Sequence, residues 1–400
     1  MNKVSDQPAG PLGLPPRIFL LPLASFAAAT EAFVYIGLLT ELTSDLGVSL
    51  AAGASLAAVF TLVYAVSAPI LASLTAGLDR KWVLTLGLLG VALTNVVAAL
   101  APNFAVLMAS RVTAGFVAAL VGPSASVAAS HTARPEHRGR ALALVLAGTT
   151  LAFSLGIPIG SAIGGVFGWR STGWFATAIA VVAAAAILAG LPRTGGAERG
   201  GLASLRLALS PRIRIILLQT TAAFGATFSA VSLIGPIGET LAGLEGGGVG
   251  LIQSFIGLGS ILGIIVGGRL ADGRPRRFDL VWIFLIIAVT QAAISILFYV
   301  PGMPSALLAY PLAASIFFGA AALFAIGPIQ QTRLIGAAPE QRMVALALHG
   351  TSIFLGQSLG AALGAVTVAI TSLSWTGFVG AALATGAALL LAAPPRPARP

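Results

Sequence analysis

Long apolar runs recur along the whole chain and alternate with short polar segments. A run of about 20 residues, at a rise of ~1.5 Å per residue, crosses the hydrocarbon core of a bilayer as a helix. The pattern predicts twelve spanning helices, and their even number places both termini on one side. The predicted spans are 18–39, 53–74, 82–101, 104–128, 140–167, 173–191, 213–236, 248–270, 280–300, 305–330, 343–370 and 375–393.

Composition agrees with this pattern. Hydrophobic residues make up 57% of the chain and charged residues 8%, and the mean hydropathy is +0.98. An ordinary soluble domain carries about 25% charged residues. The chain is therefore predicted to be an all-α membrane protein with little room for a soluble domain. The absence of cysteine excludes disulfides and thiolate metal sites.

The basic residues are distributed asymmetrically between the two sides of the predicted spans. All Lys and Arg residues except Arg111 and Arg170 fall on the side of the chain termini. Basic residues near span ends stay on the cytoplasmic side. Both termini are thus predicted to be cytoplasmic, in a multi-pass protein of the bacterial plasma (inner) membrane. The net charge of +10 follows from this topology and needs no nucleic-acid partner. The Pro-rich start does not have the pattern of a cleaved signal peptide.

A polar segment divides the chain near its midpoint. We predict a cytoplasmic N-terminal tail over 1–17, a six-helix bundle over 18–191, a cytoplasmic linker over 192–212, a second bundle over 213–393 and a tail over 394–400. Two patterns repeat across the linker. "IG" at 36–37 with Glu41 corresponds to "IG" at 234–235 with Glu239, and Gly156, Gly160 and Gly164 correspond to Gly356, Gly360 and Gly364. Duplicated halves are typical of transporters that rock two bundles about a central site, although glycine strips also serve close helix packing alone.

Three motifs carry further information. The loop after the eighth span reads "GRLADGRPRR" and contains Gly268, Arg269, Asp272, Arg274, Arg276 and Arg277. Its first-half copy, "ASLTAGLDRK", keeps Asp79 and Arg80. The fifth span contains "GIPIGSAIGG", with Gly156, Pro158, Gly160 and Gly164. Gly and Pro at this spacing kink and thin a helix, as a hinge requires.

These motifs, together with "RVTAG" at 111–115 and "TEAFVYIGLL" at 30–39, resemble the major facilitator superfamily. They are most similar to its twelve-span drug/proton antiporter branch, which includes bacterial nucleoside, sugar and drug efflux permeases. The resemblance covers nearly the whole chain and implies two pseudo-symmetric six-helix bundles. It also implies that the loop motif latches helices on the cytoplasmic side. Ala76 and Gly77 depart from the family pattern in the first copy, and a simple positive-inside anchor is the alternative for both copies.

Two charged residues lie deep within predicted spans. Glu31 is in the first span and Arg111 in the fourth, at similar depths from the same surface. A charge in mid-membrane costs about 2.5–3.5 kcal/mol on insertion scales, so pairing is favourable. The pair is either a purely structural ion pair or a proton-coupling switch. In the second half, Glu31 aligns with Ser229 and Arg111 aligns near Ala309. The charged pair is therefore confined to the first half.

The family architecture lines the substrate cavity with spans one, four, seven and ten. This implies the wall candidates Tyr35, Gln219, Phe224, Phe228, Tyr310 and Phe317. His349 in the eleventh span is a further substrate-cavity candidate, because histidine titrates near neutral pH. Hydrogen-bonded packing is the alternative role of His349. The glutamines Gln219, Gln253, Gln291, Gln330 and Gln331 could bond between helices or to a substrate.

The predicted function is proton-coupled efflux of a small organic molecule by alternating access. The alternatives are an importer or uncoupled facilitator of a sugar or nucleoside, a non-transporting membrane receptor, and a membrane-embedded enzyme. We expect no enzyme, because the chain has neither a metal-binding HExxH arrangement nor a phosphate-binding GxxxxGK[ST] loop. The expected partners are a small-molecule substrate, protons and the lipid bilayer; the chain is expected to be a monomer with no cofactor and no metal.

Overall fold

The computed structural model describes residues 14–134, 137–193, 202–273 and 277–392. Most of the predicted N-terminal tail, linker residues 194–201 and the C-terminal tail lie outside these ranges. Within them, all regular structure is helical. The prediction of an all-α chain with 12 spanning helices is confirmed. We number these α1 to α12: Pro16–Asp45, Leu50–Leu74, Arg80–Ala99, Phe104–Thr132, Arg138–Phe167, Trp169–Gly190, Pro211–Val231, Gly247–Asp272, Phe278–Tyr299, Ser305–Ala337, Val344–Ile370 and Leu373–Leu391.

Helices α1 and α5 differ from regular rods. In α1 the first helical segment ends at Phe33, and a 3-10 turn, Ile36–Leu38, precedes a short segment to Asp45. In α5 a π-helical turn, Ala152–Gly156, lies just before Pro158. A proline has no N–H to donate to the carbonyl four residues earlier, so a helix rearranges there.

The predicted seventh span, 213–236, is wrong at its end. Helix α7 stops at Val231, and a separate short helix, Ile234–Ala242, follows. Pro236 sits in the first turn of this short helix, where a missing N–H leaves no hydrogen bond unmade. The break falls at the position that corresponds to the break in α1, so the repeated "IG" pairs mark equivalent discontinuities.

The helices form two bundles, α1–α6 and α7–α12. Each bundle has its own glycine strip, and the two strips lie at corresponding positions of the halves. A Cβ added at Gly156, Gly160 or Gly164 of α5 would meet side chains of α1. One added at Gly356 or Gly360 of α11 would meet the backbone of α7. Glycine lets these backbones approach closely. The strip is therefore an intrabundle packing surface in both halves.

We call the side on which α1 begins the terminal side, and the opposite side the far side. At the terminal side each bundle has its own apolar cluster: Ile18, Leu21 and Leu84 belong to one, Ile213 and Leu334 to the other. In the middle, a single cluster joins residues of both bundles.

The two bundles touch closely from the middle of the molecule to the far side. Ser161 donates a hydrogen bond to Gln253 across the interface, 2.6 Å. The broken segments of α1 and α7 meet there too, because a Cβ on Gly235 would lie 2.8 Å from the carbonyl oxygen of Gly37. Gly165 and Gly246 are likewise in backbone contact. The far side is thus closed in this conformation.

Candidate functional site

The two intramembrane charges are in direct contact. The Arg111 Nη1 atom lies 2.6 Å from Oε1 of Glu31. The side chains are 2% and 1% exposed, respectively. A buried ion pair at this distance combines a Coulombic attraction with a charge-assisted hydrogen bond. The pair is enclosed within the first bundle and joins α1 to α4.

The break in α1 explains why Arg111 makes a second contact. The last carbonyl groups of a helix have no partner within it. The first segment of α1 ends at Phe33, and Arg111 Nη2 donates to the backbone oxygen of Glu31, 3.2 Å. The guanidinium therefore binds both the carboxylate and the backbone beside it.

Aromatic and amide side chains surround the pair. The guanidinium carbon lies 4.6 Å from the ring centre of Phe60 and 5.3 Å from that of Tyr35. The Tyr35 hydroxyl is 3.5 Å from Oδ1 of Asn95, whose Nδ2 donates to the Val91 carbonyl. Asn95 is fully buried and was missed by the sequence analysis. A lone amide within the third span was the available signal.

Glu31 retains one oxygen without a partner. Its Oε2 is buried and makes no hydrogen bond with the described residues. The carboxyl group can therefore carry a proton on that oxygen without breaking an existing bond there. This geometry suits a group that alternates between a paired, ionised form and a protonated form.

The aromatic wall candidates lie at different places. Phe224 and Phe228 are buried and stack along α7, with ring centres 6.4 Å apart. Phe228 also packs against Phe33 of the first bundle, 5.3 Å away, and so lies at the interface between bundles. Tyr35 instead faces the core of its own bundle, beside Arg111 and Trp169. In this conformation the Tyr35 hydroxyl, which the sequence placed in the central wall, is directed to Asn95 within its own bundle.

Two candidates on α10 are also placed away from the centre. Tyr310, which the sequence placed in the cavity wall, is 73% exposed on the surface of the molecule. Phe317 packs edge-to-face against its neighbour Phe318, and it is not among the residues that line the two small cavities between the bundles. A sequence does not fix the rotation of a helix about its axis, which decides these orientations.

The polar candidates Gln219 and His349 have contrasting surroundings. Gln219 Oε1 accepts from Gln330 Nε2, 3.0 Å, and from Arg333 Nη1, 2.7 Å. It therefore belongs to a polar cluster between α7 and α10. His349 of α11 is 2% exposed, and its Nε2 has no hydrogen-bond partner among the described residues.

The loop motifs are partly described. Asp79 caps α3 by accepting from the Lys81 amide, and buried Arg80 donates to the Ala76 carbonyl, 2.6 Å. Ala76 stands where the family pattern has an acid, so a backbone oxygen replaces a carboxylate here. In the second copy Arg269 and Asp272 are exposed, and Gly268 has open space around it. Arg274, Arg276 and the Arg277 side chain lie outside what the structure describes.

A metal centre finds no support in the described ranges, which contain no group of three or more His, Asp or Glu side chains able to hold an ion.

Comparison with known proteins decides the family. A model of the Major Facilitator Superfamily matches residues 21–343. The chain belongs to the major facilitator superfamily. This superfamily consists of transporters, so the prediction that the chain is not an enzyme is confirmed, as is the resemblance drawn from its motifs.

Two relatives in the superfamily are similar in sequence to this chain over almost its full length. It is 32% identical over 393 residues to a chloramphenicol resistance protein of Streptomyces lividans, covering 95% of this chain and 96% of that protein. It is 28% identical over 381 residues to an uncharacterized MFS-type transporter, YbcL, of Bacillus subtilis (strain 168), covering 94% and 95%.

Solved structures show the same fold at low identity. A crystal structure of the peptide transporter POT has a TM-score of 0.78 at 15% identity, covering 96% of this chain and 94% of that one. A D-xylose-proton symporter has a TM-score of 0.74 at 15% identity, covering 94% and 96%. This chain thus shares its two-bundle architecture with known transporters.

Proposed function

We propose that this protein exports a small organic molecule across the bacterial plasma membrane in exchange for protons, by alternating access. The buried contact between Glu31 and Arg111 is the observation that carries the proposal. Ionisable side chains within the membrane are costly and usually mark ion pathways or coupling sites. The chloramphenicol resistance protein among the relatives supports efflux as the direction.

The proton step follows from the geometry of the pair. In the far-side-closed conformation the guanidinium of Arg111 contacts the Glu31 carboxyl group, and this contact favours the ionised form of Glu31. A rearrangement that withdraws the guanidinium leaves the carboxyl group in an apolar site, where the charged form is unfavourable and a proton is taken up. Return of Arg111 displaces that proton. The exchange links protonation of one residue to the arrangement of α1 and α4.

Alternating access also requires the two bundles to move relative to each other. We infer that the terminal side is cytoplasmic, because nearly all basic residues lie there. The segments 18–191 and 213–393 would then move as two rigid bundles joined by the linker 192–212. The π-helical turn before Pro158 is a candidate hinge, since such turns recur at functional sites. The protein is proposed to work as a monomer in the lipid bilayer.

The test is transport by purified protein in liposomes with an imposed pH gradient, with chloramphenicol as the first substrate. We expect the wild type to accumulate chloramphenicol against its gradient, and Glu31→Gln to lose this accumulation. Asp45→Asn is the matched control: Asp45 is an acid on the same helix, but it is 45% exposed and pairs with Arg170 at the surface. This variant is expected to transport normally.

Other outcomes identify the alternatives. Net movement in the opposite direction would indicate an importer. Transport that ignores the pH gradient would indicate an uncoupled facilitator. No movement of any substrate in a broad panel would favour a receptor. Full pH-driven accumulation by Glu31→Gln removes Glu31 from the coupling role.

A further inference from the structure

A half-buried arginine near the terminal-side end of α10 is held by two glutamines. Arg333 lies about one turn before Ala337, the last residue of that helix. Its Nη1 atom donates to Oε1 of Gln219, on α7, and to Oε1 of Gln330, each at 2.7 Å. Gln330 also donates from Nε2 to the same Gln219 oxygen, 3.0 Å. These three residues form the polar cluster between α7 and α10.

No acidic side chain balances the charge of Arg333 among the described residues. The two salt bridges found there involve Arg111 and Arg170. Glu340, the next acid along the chain, is exposed and forms no salt bridge with Arg333. An amide oxygen accepts a hydrogen bond without carrying a full charge, so the cluster keeps the positive charge of the guanidinium. Partial burial of an uncompensated cation costs free energy, and a bound anion recovers that cost.

The contacts of Arg333 leave one edge of its guanidinium unoccupied. A guanidinium carries five N–H groups in a rigid, planar fork. Both amide oxygens are bound by Nη1, whereas Nε and Nη2 have no hydrogen-bond partner among the described residues and are not sealed from solvent. The edge formed by Nε and Nη2 can bind two oxygens of an oxoanion in parallel. Because the amides fix Nη1, this edge is oriented before any ligand binds.

Further basic residues raise the positive potential on this side of the second bundle. Arg212 and Arg214 lie in the first turn of α7 and are exposed. Arg212 is about two helical turns before Gln219, so the two residues share one face of α7. Arg206 is exposed on a 3-10 helix, Leu202–Leu209, that packs on α7. Anions are therefore attracted to the end of α7 that lies beside the polar cluster.

We propose that the polar cluster is a binding site for a phosphate group on the terminal side of the second bundle. The Nε and Nη2 atoms of Arg333 bind two phosphate oxygens in parallel, and Arg212 adds a second positive charge on the same side. Arg333 lies ~6 Å from the end of a spanning helix, a level that both a phospholipid headgroup and a dissolved phosphate can reach. The inference does not depend on the proposed transport function.

The site differs in place from the ion pair and from the space between the bundles. No member of the polar cluster lines either of the two small cavities between the bundles. Both helices that carry the cluster belong to the second bundle, so its hydrogen bonds persist when the bundles move against each other. The phosphate is thus a resident ligand that stabilises the contact of α7 with α10, and it is not cargo.

The experiment measures binding to purified protein in a nonionic detergent by titration calorimetry, at constant pH and ionic strength. Inorganic phosphate is the soluble probe, dioctanoyl phosphatidylglycerol is the anionic lipid probe, and dioctanoyl phosphatidylcholine is its zwitterionic counterpart. We expect saturable binding of an anionic probe. Tighter binding of phosphatidylglycerol than of the other two probes would assign the site to a lipid headgroup. Tighter binding of inorganic phosphate would assign it to a soluble phosphate.

Two substitutions test the cluster itself. Arg333→Gln is expected to weaken binding of the tighter anionic probe at least about tenfold, through the loss of charge-assisted hydrogen bonds. Gln219→Glu places a carboxylate oxygen beside Nη1 and neutralises the guanidinium, so it is expected to abolish binding while it keeps the contact of α7 with α10.

Arg214→Gln is the matched control. It removes the same charge from the same side of the molecule, but Arg214 is exposed and lies on a different face of α7 from Gln219. Its affinity for the probe is expected to stay within about twofold of the wild-type value, because an exposed charge is screened by salt. Thermal unfolding of each variant verifies that it is folded.

The proposal is overturned if neither anionic probe binds saturably, or if phosphatidylcholine binds as tightly as the tighter anionic probe. It is also overturned if folded Arg333→Gln binds like the wild type, or if Arg214→Gln loses as much affinity as Arg333→Gln. Should Arg333→Gln fail to fold, unchanged affinity in Gln219→Glu overturns it in the same way. No gradient is applied, so these results are independent of proton coupling and transport.

Discussion

At the scale of single residues, the protein depends on two charges that stabilise each other. Glu31 and Arg111 are almost completely buried and their charged atoms are 2.6 Å apart. Removing one partner of a buried pair costs about 3–5 kcal/mol, since it leaves an uncompensated charge, whereas replacing both is often nearly neutral. Each of the two charged side chains can therefore stay buried at low energetic cost only while its partner is present.

A double-mutant cycle tests this dependence. Arg111→Gln is expected to lower the free energy of unfolding by about 3 kcal/mol or more, and Glu31→Gln combined with Arg111→Gln to recover a substantial part of that loss. Thermal unfolding in detergent micelles provides the measurement. Purely additive effects of the two substitutions would show that the pair contributes no mutual stabilisation.

At the scale of helices, one packing device appears twice. The strip Gly156, Gly160 and Gly164 sets α5 against α1, and the strip at Gly356 and Gly360 sets α11 against α7. In the second bundle the neighbouring atoms are backbone carbonyls, for example that of Gly225 beside Gly360. Backbone cannot move aside as a flexible side chain can, so the second strip tolerates substitution less.

Substitution within the strip should be destabilising. Gly360→Ala places a Cβ against the Gly225 carbonyl and is expected to cost about 1–3 kcal/mol of stability through overpacking. Gly386→Ala, on α12 with open space around the added methyl group, is the control and should be neutral or slightly stabilising. The measurement is the melting temperature of each purified variant compared with that of the wild type. Equal stability would show that the α7–α11 contact is looser than described.

At the scale of the whole molecule, the two bundles meet through the broken ends of α1 and α7 on the far side. Acidic residues from both bundles gather near this contact. Burial raises the pKa of the half-buried Glu239 carboxyl, and the charges of Glu245 and Glu41 raise it further, while a hydrogen bond with Thr40 acts in the opposite direction. Glu239 lies outside the spanning helices, on the short helix after α7.

The sign of the resulting pH dependence follows from linkage. The closed contact binds the Glu239 proton more tightly than an open, solvated arrangement does, so acidic pH favours closure. This advantage is lost as the pH rises above 4.5, the ordinary value for Glu, through the raised pKa. Each unit of difference in pKa changes the ratio of closed to open molecules tenfold.

Distance measurements can detect this shift. The chain has no cysteine, so Ser44→Cys and Ser305→Cys place unique spin labels on the far side of the two bundles. We expect a short distance at acidic pH and a growing long-distance population as the pH rises. Glu239→Gln should weaken this dependence, whereas Glu340→Gln, an exposed acid on the terminal side, should leave it intact. A pH response that persists fully in Glu239→Gln would assign it to other groups.

The sequence by itself determined the number of spanning helices, the family and the two intramembrane charges. These properties are local or one-dimensional: a bilayer of fixed thickness demands apolar runs of fixed length, and a charge within such a run is conspicuous. The repeated "IG" pairs and glycine strips also marked equivalent positions in both halves, where the structure has helix breaks and close packing.

Only the tertiary structure decided which side chains face the space between the bundles. It placed Tyr35 beside Arg111, Tyr310 on the surface, and Gln253 and Gln291 in the central walls. It also brought Asn95 to the ion pair and closed the far side. An almost uniformly apolar helix carries little information about its rotation, so that rotation is set by contacts between segments distant in sequence.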